Sequence, residues 1–177
     1  MSRAFGRMVA VLVFVGLCSV AGVTAANAQP SPAESVNLIA EPFHPIKNFG
    51  SGLCLQPTGV NFDDPIVQVG CNRSSAQAWF FVALGNNHYM LANSDGWCIN
   101  VAGELVNGQR VQQDQCQSSN AEWKSSKQLP GEGPLRSQPH FKDNDFCLDA
   151  PSEEIAQAIR VWQCNGLLAQ RWIVGVN

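Results

Sequence analysis

Apolar residues fall in short runs of about three to six residues over most of the chain. Clusters rich in Gly, Asn, Asp and Pro separate these runs, and no segment keeps the helical period of about 3.6 residues. Short apolar runs between turn-forming residues are typical of β-strands. The pattern therefore predicts an all-β fold with tight turns.

The exception is the N-terminus, where one long apolar segment runs from Met8 to Val23. It follows the basic residues Arg3 and Arg7 and precedes the small-residue sequence Ala26-Asn27-Ala28. This order is typical of a cleaved secretory signal peptide, here residues 1–28. A membrane anchor is the alternative, but the apolar run is shorter than the roughly 20 residues that a spanning helix needs. We therefore expect a secreted, extracellular product that does not insert into membranes.

The length and the charge of the chain limit the number of domains and the kinds of partner that we expect. The 177 residues suggest one folded domain, which we place at residues 45–177 after a proline-rich N-terminal segment at 29–44. Loss of Arg3 and Arg7 with the signal peptide changes the formal net charge from -3 to -5. A mildly acidic protein lacks the basic face that nucleic-acid binding requires, so nucleic acid is not an expected partner.

Six of the seven cysteines remain after the signal peptide is removed, and they form three evenly spaced pairs. The separations are 17, 18 and 17 residues, in the pairs Cys54/Cys71, Cys98/Cys116 and Cys147/Cys164. An even number of cysteines in an exported chain indicates disulfides, although spacing alone allows 15 pairings. Zinc is the disfavoured alternative because the thiols form no CxxC pairs.

A tryptophan follows the second cysteine of each pair at nearly constant distance, at Trp79, Trp123 and Trp172. This coincidence predicts three repeats, at about residues 45–86, 87–136 and 137–177. If the copies fold alike, each closes its own bridge: 54–71, 98–116 and 147–164. Three copies of four short strands predict a β-trefoil with pseudo-threefold symmetry. We expect the three tryptophans to pack in its shared core, the alternative being that they stack on sugars.

The local motifs resemble those of ricin B-type lectins, also classed as carbohydrate-binding module family 13. The first and third repeats end in Gln77-Ala78-Trp79 and Gln170-Arg171-Trp172, and the second has the degraded form Ala121-Glu122-Trp123. The third repeat also contains Cys147-Leu148-Asp149. The resemblance covers about residues 45–177. It implies a β-trefoil that binds glycans, most commonly galactose-type sugars, without a cofactor.

The resemblance also implies a sugar pocket in the third repeat. There, Asp149 would accept hydrogen bonds from sugar hydroxyls, and the ring of Trp162 would stack on the apolar face of the sugar. Arg160, Asn165 and Gln170 complete the candidate set. We expect Asp149 and Trp162 to be exposed in the free protein.

Each candidate also has a structural interpretation. Asp149 would be a turn residue, Trp162 a core residue and Gln170 a residue that fixes a turn. Arg160 would pair with Asp149 or with one of the nearby glutamates, Glu153 and Glu154.

The other two repeats depart from the family pattern at the binding positions. The first has Gln56, Val69 and Ala76, which provide neither the carboxylate nor the ring. The second is polar but has no aromatic ring at the corresponding positions, which are Asn100, Asp114 and Asn120. We therefore expect one main sugar site.

The sequence contains no recognisable catalytic or metal-binding motif. It lacks a Gly-x-Ser-x-Gly elbow and an HExxH sequence, and its three histidines are scattered. We therefore predict a non-catalytic lectin without a metal or other cofactor, whose partners are glycans or glycoconjugates. The alternative is a protein-interaction β-trefoil, similar to a toxin subunit or an inhibitor, that keeps only relics of the sugar sites.

Overall fold

The computed structural model describes residues 44–137 and 145–175, which belong to one compact unit. The predicted signal peptide and residues 29–43 of the proline-rich segment lie outside the described residues. Thirteen strands are present in the described ranges: β1 Ile46–Asn48, β2 Cys54–Pro57, β3 Ile66–Val69, β4 Trp79–Gly85, β5 His88–Asn93, β6 Trp97–Val101, β7 Val111–Gln115, β8 Glu122–Ser125, β9 Gly131–Gly133, β10 Leu135–Ser137, β11 Phe146–Asp149, β12 Arg160–Gln163 and β13 Trp172–Val174.

The helices in these ranges are three single 3₁₀ turns, Ser75–Gln77, Ser119–Ala121 and Leu168–Gln170. None of them is long and apolar enough to cross a membrane. The second turn directly precedes the last strand of its repeat, and a single residue separates the first and third turns from theirs. The all-β prediction is therefore confirmed.

Four strands recur in each repeat, as β1–β4, β5–β8 and β10–β13, and the short strand β9 is additional. The outer strands of the repeats pair antiparallel, β1 with β13, β4 with β5, and β8 with both β5 and β10. An isolated bridge between His44 and Trp79 connects the start of β1 to β4. Strand β9 pairs with β13 and leads into β10. The pairing therefore continues around a barrel of six main strands.

The inner strands of each repeat form three hairpins, β2–β3, β6–β7 and β11–β12. Isolated bridges join each hairpin to the other two: Pro65 to Gln112, Arg110 to Arg160, and Val67 to Ala158. The three hairpins therefore contact one another in a cyclic arrangement that caps the barrel. This arrangement confirms the predicted pseudo-threefold β-trefoil.

The tryptophans that mark the repeats are fully buried in the shared core. Each indole N–H donates to a backbone carbonyl 24 residues earlier, from Trp79 to Leu55 at 3.2 Å, from Trp123 to Ile99 at 2.9 Å and from Trp172 to Leu148 at 2.9 Å. Burial of an indole requires a partner for its N–H, and the repeat supplies the same one three times. The predicted core role of these tryptophans is confirmed.

The three disulfides form within the repeats, which confirms the predicted pairing. Each connects the first inner strand of a repeat to the segment just after the second, with Cα–Cα distances of 5.0, 4.9 and 5.1 Å. The bridges are Cys54–Cys71, Cys98–Cys116 and Cys147–Cys164. The third bridge therefore fixes the hairpin β11–β12, which carries the main candidate residues of the pocket.

The two cysteines of each bridge differ in their surroundings, a difference that the even spacing did not predict. The first cysteine lies in an inner strand and is at most 1% exposed, at Cys54, Cys98 and Cys147. The second lies outside the strands, just past the end of its hairpin. There Cys71 is exposed, and Cys116 and Cys164 are half-buried. Only the first cysteine of each pair therefore belongs to the packed interior, and the second anchors the chain leading to the 3₁₀ turn.

Candidate functional site

The hairpin β11–β12 brings three of the five candidate residues to one face. Asp149 is paired directly with Arg160 across the two strands. Side chains of directly opposed residues in an antiparallel pair point to the same side, and residues two apart along a strand share that side. Trp162 therefore lies on the same face as Asp149 and Arg160.

The third disulfide stands at the open end of this face. Cys147 is directly opposite Trp162, and its partner Cys164 follows Trp162 by two residues. The bonded sulfurs are not free thiols, so these cysteines hold the hairpin together and do not act as ligand-binding groups. Cys71 and Cys116 have the same role in the first and second repeats, at hairpins that lack the ring.

Asp149 forms the floor of this face and is only 3% exposed. One carboxylate oxygen accepts a hydrogen bond from Arg160 Nε at 2.8 Å, and the other accepts one from Gln170 Nε2 at 3.2 Å. A buried carboxylate needs such partners because it has lost its hydration. The expectation that Asp149 is exposed was therefore wrong: the arginine opposite it and the 3₁₀ turn before Trp172 cover it.

Arg160 extends from Asp149 across the ring of Trp162. Its guanidinium carbon lies 4.3 Å from the ring centroid, which is a cation–π contact. Trp162 itself is half-buried, so it is less exposed than expected. Of the carboxylates considered as partners for Arg160, the structure selects Asp149. In the free protein the arginine therefore covers one face of the ring.

Gln170 fixes the turn next to this face. Its Oε1 accepts a hydrogen bond from the backbone N–H of Asn165 at 2.8 Å, and its Nε2 donates to the Gln163 carbonyl at 3.1 Å as well as to Asp149. The side chain of Asn165 is exposed, and its Oδ1 accepts a hydrogen bond from Leu167 N–H at 2.9 Å. The structure therefore gives Gln170 the turn-fixing role and places Asn165 in the adjacent turn.

Sequence reasoning missed two residues of the second repeat that complete this face. A Cβ added at Gly108 would lie 3.7 Å from Cζ3 of Trp162, and Gly108 has a positive φ of +86° that favours glycine. Arg110 lies directly opposite Arg160 in an isolated bridge. The local sequence around Trp162 contains no signal for them, because they reach the pocket only through the contact between hairpins.

The corresponding positions of the other repeats lack the combination of carboxylate and ring. In the first repeat, Gln56 accepts a hydrogen bond from Gln77 at 3.2 Å, and the half-buried Val69 takes the place of the ring. In the second repeat, Asn100 is 1% exposed and Asp114 takes the place of the ring. Of the three described hairpins, the third alone therefore joins a carboxylate to an aromatic surface.

The second repeat lacks the glutamine that begins the closing Gln-x-Trp motif of the other two repeats. In the first and third repeats, Gln77 and Gln170 each connect the residue after the second cysteine to the inner hairpin. Ala121 replaces this glutamine in the second repeat. The second repeat also contains a buried polar atom, Nδ2 of Asn100, that has no hydrogen-bond partner among the described residues.

We expect Ala121→Gln to raise the free energy of unfolding by about 1 kcal/mol. The new amide can accept from the N–H of Gln117 and donate to the carbonyl of Gln115, as the glutamines of the other two repeats do at the corresponding positions. The measurement is urea unfolding of the oxidised protein. Ala121→Leu is the matched control, since it adds a similar volume without an amide and should bring no such gain. A glutamine variant no more stable than the leucine variant would contradict the stabilising role assigned to the glutamine of this motif.

The sequence profile of the ricin-type β-trefoil lectin domain matches residues 42–172. The chain belongs to the ricin-type β-trefoil lectin family. The matched range contains the first two repeats and the third as far as Trp172, including the pocket face. Among curated protein sequences, none matches this ricin-type trefoil chain.

Several solved structures have the same fold as this ricin-type lectin chain. A designed threefold-symmetric protein, ThreeFoil, has a TM-score of 0.69 at 18% identity, covering 76% of this chain and 99% of its own. A ricin B-like lectin of Macrolepiota procera in complex with lactose has a TM-score of 0.62 at 18% identity. The match covers 78% of this chain and 96% of the lectin. An exo-β-1,3-galactanase of Clostridium thermocellum has a TM-score of 0.68 at 23% identity. The match covers 77% of this chain but 30% of the enzyme. At these identities the likeness establishes the fold alone.

Proposed function

We propose that this protein is a secreted lectin that binds a glycan through its third repeat. The observation that carries the proposal is the shared face of Asp149 and Trp162, which a single guanidinium connects. This face combines a guanidinium, held in place by the carboxylate, with an aromatic ring, and such a pair suits the hydroxyl groups and the CH-rich face of a pyranose. Family membership and the lactose complex of the Macrolepiota procera lectin support the same function.

The proposal assigns one main site and weak affinity for a simple sugar. The other two repeats lack the ring at the corresponding position, where they have Val69 and Asp114. A single shallow face makes few contacts, so we expect a dissociation constant on the order of 0.1–10 mM, or about -3 to -5.5 kcal/mol. Stronger binding would then require several copies on one target.

Binding without catalysis is part of the proposal. Glycoside hydrolysis generally uses two carboxyl groups on either side of the scissile bond. Among the described residues, Asp149 is the buried carboxylate of the pocket, and Arg160 already neutralises it. Secretion is supported by the signal-peptide pattern of residues 1–28.

The test is a glycan array with the oxidised protein starting at residue 29, followed by calorimetric titration of the best ligand. We expect a stoichiometry near one and loss of binding in Trp162→Ala. Trp97→Ala is the matched control, because Trp97 is another half-buried tryptophan, lying at the start of β6 outside the pocket face.

Two results of this test would count against the proposal. A stoichiometry near three would contradict the single site. Glycan binding that survives Trp162→Ala, or no glycan binding at all, would favour the protein-interaction alternative.

A further inference from the structure

The position of Arg160 restricts which sugars the pocket accepts. Its Nε is used by Asp149, whereas its two Nη atoms have no hydrogen-bond partner among the described residues. The side chain is 32% exposed, so these donors can be reached from solvent. The pocket therefore offers solvent the Nη hydrogen-bond donors of a cationic guanidinium.

Two contacts fix the orientation of this guanidinium. The ion pair with the buried Asp149 holds one edge, and the contact with Trp162 holds one face. A guanidinium is planar, and its fork of donors matches a carboxylate in a bidentate geometry. Because Arg160 is already ordered, a ligand that binds the free edge loses little side-chain entropy.

A second arginine stands next to the first. Arg110 lies directly opposite Arg160, and its Nη2 donates to Gln112 at 2.6 Å and to Asp63 at 3.1 Å. The carboxylates that pair with these two arginines are Asp149, which is buried behind Arg160, and Asp63, which is half exposed beside Arg110. An incoming anion therefore meets the guanidinium of Arg160 before it meets the carboxylate of Asp149.

A neutral sugar faces an obstacle at the same place. To stack on the covered face of Trp162 it must displace Arg160, which breaks the cation–π contact. That displacement also takes the cationic partner away from the buried Asp149, and an unpaired buried carboxylate is strongly unfavourable. An acidic sugar can use the arginine where it lies.

We propose that the third-repeat pocket selects an acidic saccharide, whose ring carboxylate binds the free Nη edge of Arg160. This inference rests on the proposed lectin function and deepens it by naming the ligand class. Asp149 and Trp162 then act together to hold the arginine in position for the ligand.

The test compares sugars that differ only at C6. Methyl galacturonide and methyl galactoside form one pair, methyl glucuronide and methyl glucoside the other, each titrated by calorimetry or NMR at low and high salt. We expect an acid of at least one pair to bind about tenfold or more tightly than its neutral partner at low salt, as for a charge-assisted contact, with the preference falling as salt rises.

Arg160→Gln should remove this preference, so that each acid binds no more tightly than its neutral partner, because the amide carries no charge to pair with the ligand carboxylate. Arg73→Gln is the matched control: it removes the same charge from an exposed site in the first repeat and should keep the preference. If the glutamine variant fails to fold, Arg160→Lys tests the same point. It keeps the charge but lacks the planar fork, so it should lose most of the preference.

The outcomes separate this inference from the proposed function. Equal or tighter binding of the neutral sugars by the unmodified protein would overturn the acidic preference and leave the lectin function standing. A preference that persists in Arg160→Gln, or unchanged in Arg160→Lys, would also overturn the assignment to Arg160. Absence of binding to every glycan on the array would overturn the lectin function, and the inference with it.

Discussion

Replacing Trp172 by alanine is expected to lower the free energy of unfolding by about 3–5 kcal/mol. The ring is fully buried in the shared core, so its removal leaves a cavity. It also removes the indole N–H that donates to the Leu148 carbonyl at 2.9 Å. The measurement is urea unfolding with the disulfides intact. The same bond recurs at Trp79 and Trp123, so alanine there should have a comparable effect.

Trp162→Ala is the matched control for this prediction. Its ring is half-buried and rests under Arg160 at the protein surface, so we expect a loss of no more than about 1.5 kcal/mol. The two tryptophans belong to the same repeat and differ mainly in burial. If Trp162→Ala unfolded the protein while Trp172→Ala left it stable, the roles of core and pocket tryptophan would be reversed.

The sequence was sufficient to predict the parts of the fold that repeat. Each cysteine pair and its following tryptophan recur at nearly fixed distances, so three weak local signals reinforce one another. The disulfide partners and the buried tryptophans follow from that regularity. The spacing did not show that Cys71, Cys116 and Cys164 lie outside the strands and nearer to solvent than their partners, because burial depends on the packing around each position. Among the described residues, strand β9 has no counterpart in the other repeats, and the repeat pattern could not predict it.

The exposure of the pocket residues depends on contacts that differ from one repeat to the next. Whether Asp149 is exposed depends on which side chain lies opposite it on β12, and only the third repeat has an arginine there. The motif indicated a sugar acceptor, but the ion pair and the stacking on Trp162 cover it. Gly108 and Arg110 reach the face from another repeat, through a contact between hairpins that is distant in sequence.

Asp149→Ala is expected to weaken binding of the pocket's glycan by about tenfold or more, because Arg160 loses the charge-assisted hydrogen bond that holds its guanidinium in position, a bond worth about 1.5–3 kcal/mol. The variant should also lose about 1–3 kcal/mol of stability, since Gln170 Nε2 loses an acceptor and Arg160 loses its counter-ion. The second loss is moderated because Arg160 can turn to solvent. Titration and urea unfolding of the same preparation measure the two effects.

Asp149→Asn separates these two effects. Its Oδ1 can still accept the hydrogen bond from Gln170, and the side chain keeps its shape, so the cost in stability should be smaller than for alanine. The charge that holds Arg160 against Trp162 is gone, however, so the affinity should fall nearly as far as in the alanine variant. Circular dichroism before each titration establishes that the variant is folded at the temperature used. A folded Asp149→Asn protein that binds the glycan as tightly as the parent would show that the carboxylate is not needed to hold Arg160 for recognition.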